Sequence, residues 1–309
     1  MPSSLISPAE KHHIGGDQAR SLRALAAGRA TSAEACPSMG RGCHSIVVAG
    51  GKGGVGRSVI ALNLAVMLAQ RGDSVGLLDA SPDMGNIELL SSLNGYWNLS
   101  HVVQGCRQLN EVLLRGPAGV NVLSGASCLA DPETLLTQKV DLILQQLSTF
   151  EQKLDWLIVD ASGGASAVTR EFAIAADDLL IVTTPESTAV AEAYAAVKSL
   201  ASATRPRLGL LVNQADSPAQ AQRILDHLQQ AAHSFLHVDL HRRGFIPRDV
   251  VVPVSVNARI PFVLQSPTSS ATLALQTLVQ RWTRPQAHDR ETSFFSRLRK
   301  RGVAFAVET

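Results

Sequence analysis

The stretch AGGKGGVGRSVIALN, residues 49–63, decides the fold. It follows the apolar run SIVVAG and leads into a helix-like segment, the strand–glycine loop–helix order of a phosphate-binding loop. Gly51, Gly53, Gly54 and Gly56 let backbone N–H groups turn toward phosphate oxygens, with Val55 and Val59 in the same nucleotide-binding stretch. A helix beginning near Arg57 adds the positive end of its dipole, and Ser58 supplies a hydroxyl suited to Mg²⁺. The usual pattern, G-x-x-x-x-G-K-[ST], has lysine where this chain has Arg57. Arginine keeps the charge on a wider planar fork, so phosphate binding is expected to survive with altered affinity.

Working outward, short Val/Ile/Leu runs alternate with amphipathic stretches over residues 44–283. Candidate strands are SIVVAG, SVGLLDA, VNVLSG, DWLIVDA, DLLIVTT, LGLLVNQ and LHRRGFI. Nearly all-apolar strands of this kind are covered on both faces, as in parallel sheets. The fold class is therefore α/β, a mostly parallel central sheet flanked by helices, with ligands at the carboxyl ends of the strands. Gly72 is a natural stop for the helix that follows the loop. Residues 1–43 read as an N-terminal extension and 284–309 as a basic amphipathic tail.

The 309-residue chain carries 45% hydrophobic and 17% charged residues, which suits a globular core. A formal net charge of +2 argues against a general nucleic-acid coat. Cys36, Cys43, Cys106 and Cys128 form no C-x-x-C pair and read as reduced cytoplasmic thiols. The N-terminus lacks a signal-peptide core, and no run approaches the roughly 18 apolar residues of a membrane span. Membrane contact is thus expected to be peripheral.

Two carboxylates end candidate strands. Asp160, in LDWLIVDASGG, places a carboxylate near the Mg²⁺ shell of a phosphate loop. Asp79 ends SVGLLDA one helix after the loop. Asn213, in LLVNQ, has an amide able to pair with an adenine edge, and equally able to form a turn.

K-G-G-x-G-[KR]-[ST] at residues 52–58 resembles the deviant Walker A motif of the MinD/ParA ATPases, over roughly residues 44–283. TTPESTAVAEAYAAVKSL, LLVNQADSPAQAQRILDHL and HVVQGCRQLNEVLLRGPAGVNVLSGAS look most like its flagellar-number regulators. The resemblance implies ATP and Mg²⁺ as ligands and a homodimer that forms on ATP, with Lys52 reaching the partner's phosphates. It makes Asp79 the first acid of the family's D-x-D, a metal and catalytic residue, and leaves Ser81 where the second, water-positioning acid stands. Asp83 either compensates as a paired catalytic acid or is a plain loop residue. Asn213 would read adenine, with Ile246–Asp249, including Pro247 and Asp249, lining the pocket.

The resemblance extends to both ends. DQARSLR, residues 17–23, matches a signature that precedes the ATPase domain in these regulators. There Asp17, Gln18, Leu22 and Arg23 would dock on an FlhF-type signal-recognition GTPase. In SFFSRLRKRGVAF, Phe294, Phe295, Leu298 and Phe305 share one helical arc, with Arg297, Arg299, Lys300 and Arg301 on the rest. That pattern fits a helix on anionic inner-membrane lipid, with a solvated basic tail as the alternative.

The function so implied is a nucleotide-dependent switch controlling flagellar number or placement, cytoplasmic and reversibly peripheral at the membrane. Flagellar switch proteins or transcriptional regulators are further candidate partners. A slow ATPase (ATP + H₂O to ADP + phosphate) is expected, with Arg57 and Ser81 bearing on hydrolysis. The alternatives are a catalytically weak pseudo-ATPase scaffold, or a septum-positioning or DNA-partitioning ATPase.

Overall fold

The computed structural model describes residues 42–81, 86–130, 138–163, 166–201, 207–282 and 293–300, all within the unit Gly40–Thr309. β1 (His44–Gly50), β2 (Val75–Ala80) and β6 (Asp178–Thr183) are buried at every position, as their unbroken apolar runs require. With β4 (Asn121–Ser124), β5 (Trp156–Gly163), β7 (Arg207–Ala215) and β8 (His241–Pro247) they form a parallel sheet. The two-residue β3 (Leu114–Arg115) adds an antiparallel edge, giving the order β3-β4-β2-β5-β1-β6-β7-β8. All seven candidate strands are present; only β3 is too short to show a period.

The chain leaves β1 past β5 to β2 and later returns to β6 on β1's other side. Strand order thus reverses at β1, and a crevice opens beyond the carboxyl ends there. α1 (Arg57–Gln70) starts directly from the loop after β1. Residues 60–68 of α1 are all buried, because the helix lies between the sheet and a second layer that includes α10 (Phe262–Gln265) and α11 (Ser270–Gln280). Asn63 is the polar exception, donating to the Val59 carbonyl and accepting the Val263 N–H. That second bond ties α1 to α10.

α2 (Asn86–Leu90) packs on the α1 side through Ile87, while α3 (Leu99–Val103) and α4 (Leu109–Val112) lie on the opposite face toward one edge. α5 (Gln138–Glu151), α6 (Ala167–Ala175), α7 (Ser187–Ala201) and α8 (Pro218–Leu236) follow, while α9 (Val251–Ala258) comes after β8. At the amino ends of the strands, buried Asp178 is held by His44 (2.6 Å), Arg243 (2.7 Å) and Arg207 (3.2 Å), locking β1, β6, β7 and β8 together.

A last helix, α12 (294–300), docks against α5 and α6. Phe294, Phe295 and Leu298 are fully buried; Phe294 stacks on Phe172 with ring centres 5.9 Å apart. Glu151 accepts the Phe294 N–H (2.8 Å) and the Phe295 N–H (3.1 Å), satisfying donors that a helix N-terminus leaves open. Arg297 pairs with Asp177 at 2.9 Å, and Arg299 makes two bonds to Asp141. The three side chains read as a lipid-facing arc face the protein's own core in this structure. The physical reason is that an amphipathic helix buries its apolar stripe on whatever apolar surface is nearest, and α5 and α6 supply one. Arg299 and Lys300 remain on the exposed side. No helix among the described residues is long and apolar enough to cross a membrane.

Candidate functional site

The phosphate loop is shaped by close approach. A side chain at Gly51 would place its Cβ 2.2 Å from the Glu192 backbone carbonyl, so the loop rests directly on the α7 backbone. Gly56, the residue before α1, has φ 89°, and a Cβ there would meet Asn213 Nδ2 at 2.4 Å. Gly54 is also left-handed, with φ 81°. Only glycine meets these demands without strain. The result is a backbone cradle at the amino end of α1, the geometry that receives phosphate.

Arg57 is the first residue of α1. Its Nη1 donates to the Ala161 carbonyl at 2.9 Å, and its guanidinium lies against Gly163. Burial lowers its pKa, opposed by the charge of Asp160. The arginine thus braces the end of β5 across the loop, a reach made possible by its long fork.

Asp79 and Asp160 stand side by side, in register between β2 and β5, on the sheet face that carries α1. Asp79 accepts N–H bonds from Ser81 (3.0 Å) and from Ile87 (3.1 Å) at the start of α2; burial raises its pKa. Asp160 is fully buried, and neither oxygen has a partner in hydrogen-bond geometry. Burial pushes its pKa up to about 7; the nearby Ser58 hydroxyl opposes this, the Asp79 charge adds to it and Arg57 opposes it. A buried carboxylate left without partners costs free energy unless a cation or donor completes it. Ser58, Asp160 and Asp79 together therefore fit a Mg²⁺ site whose remaining ligands come from phosphates and water. Asp83 lies outside the described residues.

Lys52 is half-buried and turned back on its own chain, with Nζ 2.7 Å from Glu186 Oε2 and 3.1 Å from Thr188 Oγ1. The hydrogen bond to Glu186 raises the lysine pKa. Neither Glu186 nor Thr188 is legible as a site residue from sequence spacing alone. The available signal was TTPEST at the end of β6, since β6 pairs with β1 and so ends beside the phosphate loop.

Beside the loop is a cavity of about 490 Å³ that brings Gly54, Gly56, Val59, Asn213, Pro247 and Asp249 together. Asn213 is buried and donates to the Val55 carbonyl at 2.8 Å, coupling the end of β7 to the phosphate loop. Asp249 lines the cavity, but its carboxylate is used by the fold. It accepts the Val251 N–H at the start of α9 (3.0 Å), and from α11 the Ser270 hydroxyl (2.7 Å) and the Ala271 N–H (3.1 Å). Those bonds hold its pKa low. Its part in the pocket is to fix the two helices forming the wall. The size and largely apolar lining suit a flat heteroaromatic base. Asp17, Gln18, Leu22 and Arg23 lie outside the described residues.

The sequence matches the ParA family, described as NUBPL iron-transfer P-loop NTPase, over residues 43–283. The antiactivator FleN of Pseudomonas aeruginosa is 33% identical over 254 residues, covering 81% of this chain and 91% of the relative. The flagellum site-determining protein YlxH of Helicobacter pylori is 29% identical over 220 residues, 69% of this chain and 73% of the relative. Among solved structures, the septum site-determining protein MinD of Pyrococcus horikoshii, complexed with Mg-ADP, superposes with a TM-score of 0.61 at 22% identity, covering 77% of this chain and 95% of that one.

Proposed function

The chain belongs to the ParA/MinD family of P-loop NTPases, and on that premise we propose that it is an ATP-responsive regulator of flagellar number or placement. The observation that carries the reading is the likeness to FleN along 91% of that relative's length, on a chain whose loop is built to hold phosphate. YlxH, named as a flagellum site-determining protein, points the same way. DQARSLR, ahead of the NTPase domain, adds an FlhF-type GTPase as partner through Asp17, Gln18, Leu22 and Arg23.

The chemistry follows from the chain's own groups. Backbone N–H groups of Gly51–Gly56 and the amino end of α1 hold the phosphates. Asn213 and the wall around Pro247 hold the base. Ser58, Asp160 and Asp79 would hold Mg²⁺, which when bound would neutralise phosphate charge and favour the ionised form of Asp160. Lys52, held by Glu186 and Thr188, leaves those partners to reach the phosphates of a second subunit. ATP thereby joins two copies, and hydrolysis separates them. Lipid contact through Phe294, Phe295 and Leu298 requires α12 to leave its seat on α5 and α6, so membrane association sits behind a release step.

A specific observation favours a second reading, a scaffold with little turnover. Ser81 offers no carboxylate, and Arg57 is committed to the Ala161 carbonyl. Single-turnover ATP hydrolysis with Mg²⁺ separates the two, with Lys52→Ala as control. Turnover in the wild type equal to that control leaves the scaffold. The flagellar reading is tested by pulling down the cognate FlhF-type GTPase with wild type and Gln18→Ala. We expect the wild type alone to stimulate GTP hydrolysis; equal stimulation, or none by either, overturns that assignment.

A further inference from the structure

We propose that the ion pair between Asp216 and Arg248 sets which base the cavity beside the phosphate loop accepts, by holding a guanine-reading carboxylate out of it. The inference rests on the nucleotide reading above and names the residues that choose among purine nucleotides. The cavity is lined by Asn213 and Gln214 from the end of β7, and by Pro247, Arg248 and Asp249 at the end of β8. Asp216, three residues after Asn213, is not one of its walls, although Gln214 and Arg248 beside it are.

The backbone brings Asp216 to that wall. Ala215 pairs with Pro247 in the sheet, and the Arg248 N–H donates to the Ala215 carbonyl at 2.9 Å. The register slips between Val212 and Ala215, and Gln214 takes a left-handed φ of 57°. A slip of this kind re-aims the side chains around it, and non-glycine residues with such a φ cluster at binding sites. Asn213 uses its Nδ2 on the Val55 carbonyl, so its amide offers a base only an acceptor.

Both oxygens of Asp216 are occupied. Oδ1 accepts from Arg248 Nε at 2.9 Å and Oδ2 from Gln220 Nε2 at 3.2 Å, while Gln220 Oε1 accepts the Asp216 N–H at 2.8 Å. The bonds from Arg248 and Gln220 hold the carboxyl below its ordinary pKa, so it is ionised. An ionised carboxylate suits guanine, whose N1–H and 2-amino group are two adjacent donors. Adenine shows one donor beside the N1 lone pair, which a carboxylate repels. Asp249, the other carboxylate at the cavity, is committed to α9 and α11. While Arg248 keeps Asp216, guanine therefore finds no free carboxylate there. Without Arg248, a change of χ1 rotamer turns Asp216 toward the base. Both partners of the pair are exposed, so breaking it is expected to leave the fold intact. The charge of Arg248 also reaches Glu186 and, through it, Lys52; that effect touches the phosphate side and so cancels when two bases are compared.

The test is equilibrium binding of fluorescent ATP, GTP and inosine triphosphate analogues to the full chain with Mg²⁺. The wild type should prefer ATP. Arg248→Ala should shift the preference toward GTP by about tenfold or more, the discrimination a paired base contact supplies. Inosine triphosphate, which lacks the 2-amino group, should gain less than GTP. The Arg248→Ala/Asp216→Ala double variant should return to the wild-type preference, and Arg248→Lys, which keeps a charge beside Asp216, should shift it less than Arg248→Ala. An unchanged preference in Arg248→Ala, a shift that survives Asp216→Ala, or equal gains for GTP and inosine triphosphate overturns the proposal. A wild type that binds ATP and GTP alike refutes the selectivity pair alone. A wild type that melts cooperatively yet binds neither refutes the nucleotide reading, and the pair with it.

Discussion

Asp160→Asn should stabilise the nucleotide-free protein, and by an amount that grows with pH. The carboxyl group is fully buried without hydrogen-bond partners, and its pKa is pushed up to about 7. In an unfolded chain an aspartate titrates near ~3.9. Between those values the folded state keeps a proton that the unfolded state releases. Stability from this group is therefore greatest below about pH 4 and falls as pH rises through about 7. About three pKa units at ~1.4 kcal/mol each give a total loss on the order of 4 kcal/mol, of which roughly 2–3 kcal/mol falls between pH 5 and pH 8.

Asparagine has no proton to lose, so the variant lacks this slope. The absolute effect of the substitution includes the hydrogen bonds the new amide finds, but its change with pH does not. Urea unfolding of both proteins at pH 5 and pH 8, without nucleotide or metal, should show the variant's advantage widening by about 2–3 kcal/mol, while the other carboxylates cancel in the difference. A gap constant within about 0.5 kcal/mol would refute the buried, unpaired state of Asp160. A companion measurement links the same group to function. Mg²⁺ with ATP at pH 8 should raise the melting temperature of the wild type and leave the variant nearly unmoved, because ligand that binds only the folded state stabilises by mass action.

Phe294→Ala removes a fully buried ring and should cost about 3–5 kcal/mol by chemical denaturation, against near zero for a lipid-facing or solvated position. A loss below about 0.5 kcal/mol would return the ring to the surface. Gly51→Ala forces a methyl within 2.2 Å of the α7 backbone at Glu192, which cannot yield as a side chain would. Affinity for a fluorescent ATP analogue should fall at least about tenfold, and wild-type affinity would show slack in the loop. Ser81→Asp restores a carboxylate where the family pattern has one, and should raise the single-turnover rate by about tenfold or more. An unchanged rate would locate the obstacle at Arg57.

Much of the fold was legible because parallel strands covered on both faces leave an unmistakable trace: β1, β2 and β6 are buried at every position around unbroken apolar runs, with polar residues only toward their ends. β3 was not, since two residues carry no period. The site was legible wherever function sits at a strand end. Gly51–Ser58, Asp79, Asp160 and Asn213 lie after or near the carboxyl ends of four different strands, and the topology gathers those ends on one side of the sheet. Glu186 and Thr188 were hidden because their importance depends on β6 lying beside β1, a neighbour relation that sequence order does not state. Asp249 was half legible: its place in the pocket wall follows from β8, while the commitment of both its oxygens to α9 and α11 does not.

The C-terminal helix shows where pattern reading meets a physical limit. Phe294, Phe295 and Leu298 on one side and Arg297, Arg299 and Lys300 on the other describe a stripe that wants an apolar partner and a rim that wants charge. A membrane of anionic lipid answers that description, and so does a protein face flanked by Asp177, Asp141 and Glu151. The stripe by itself cannot tell the two apart, because water exclusion rewards both equally. What separates them is the partner's own geometry: a buried carboxylate accepting the first two N–H groups of the helix, and a ring stacked on Phe172. Both features are specific to this site and absent from a fluid bilayer. Any membrane-bound form of this chain must therefore offset the loss of Glu151's two hydrogen bonds and of a well-packed aromatic contact. In the proposed dimer two α12 helices engaging lipid together would do so more readily than one, which would make membrane binding follow dimerisation.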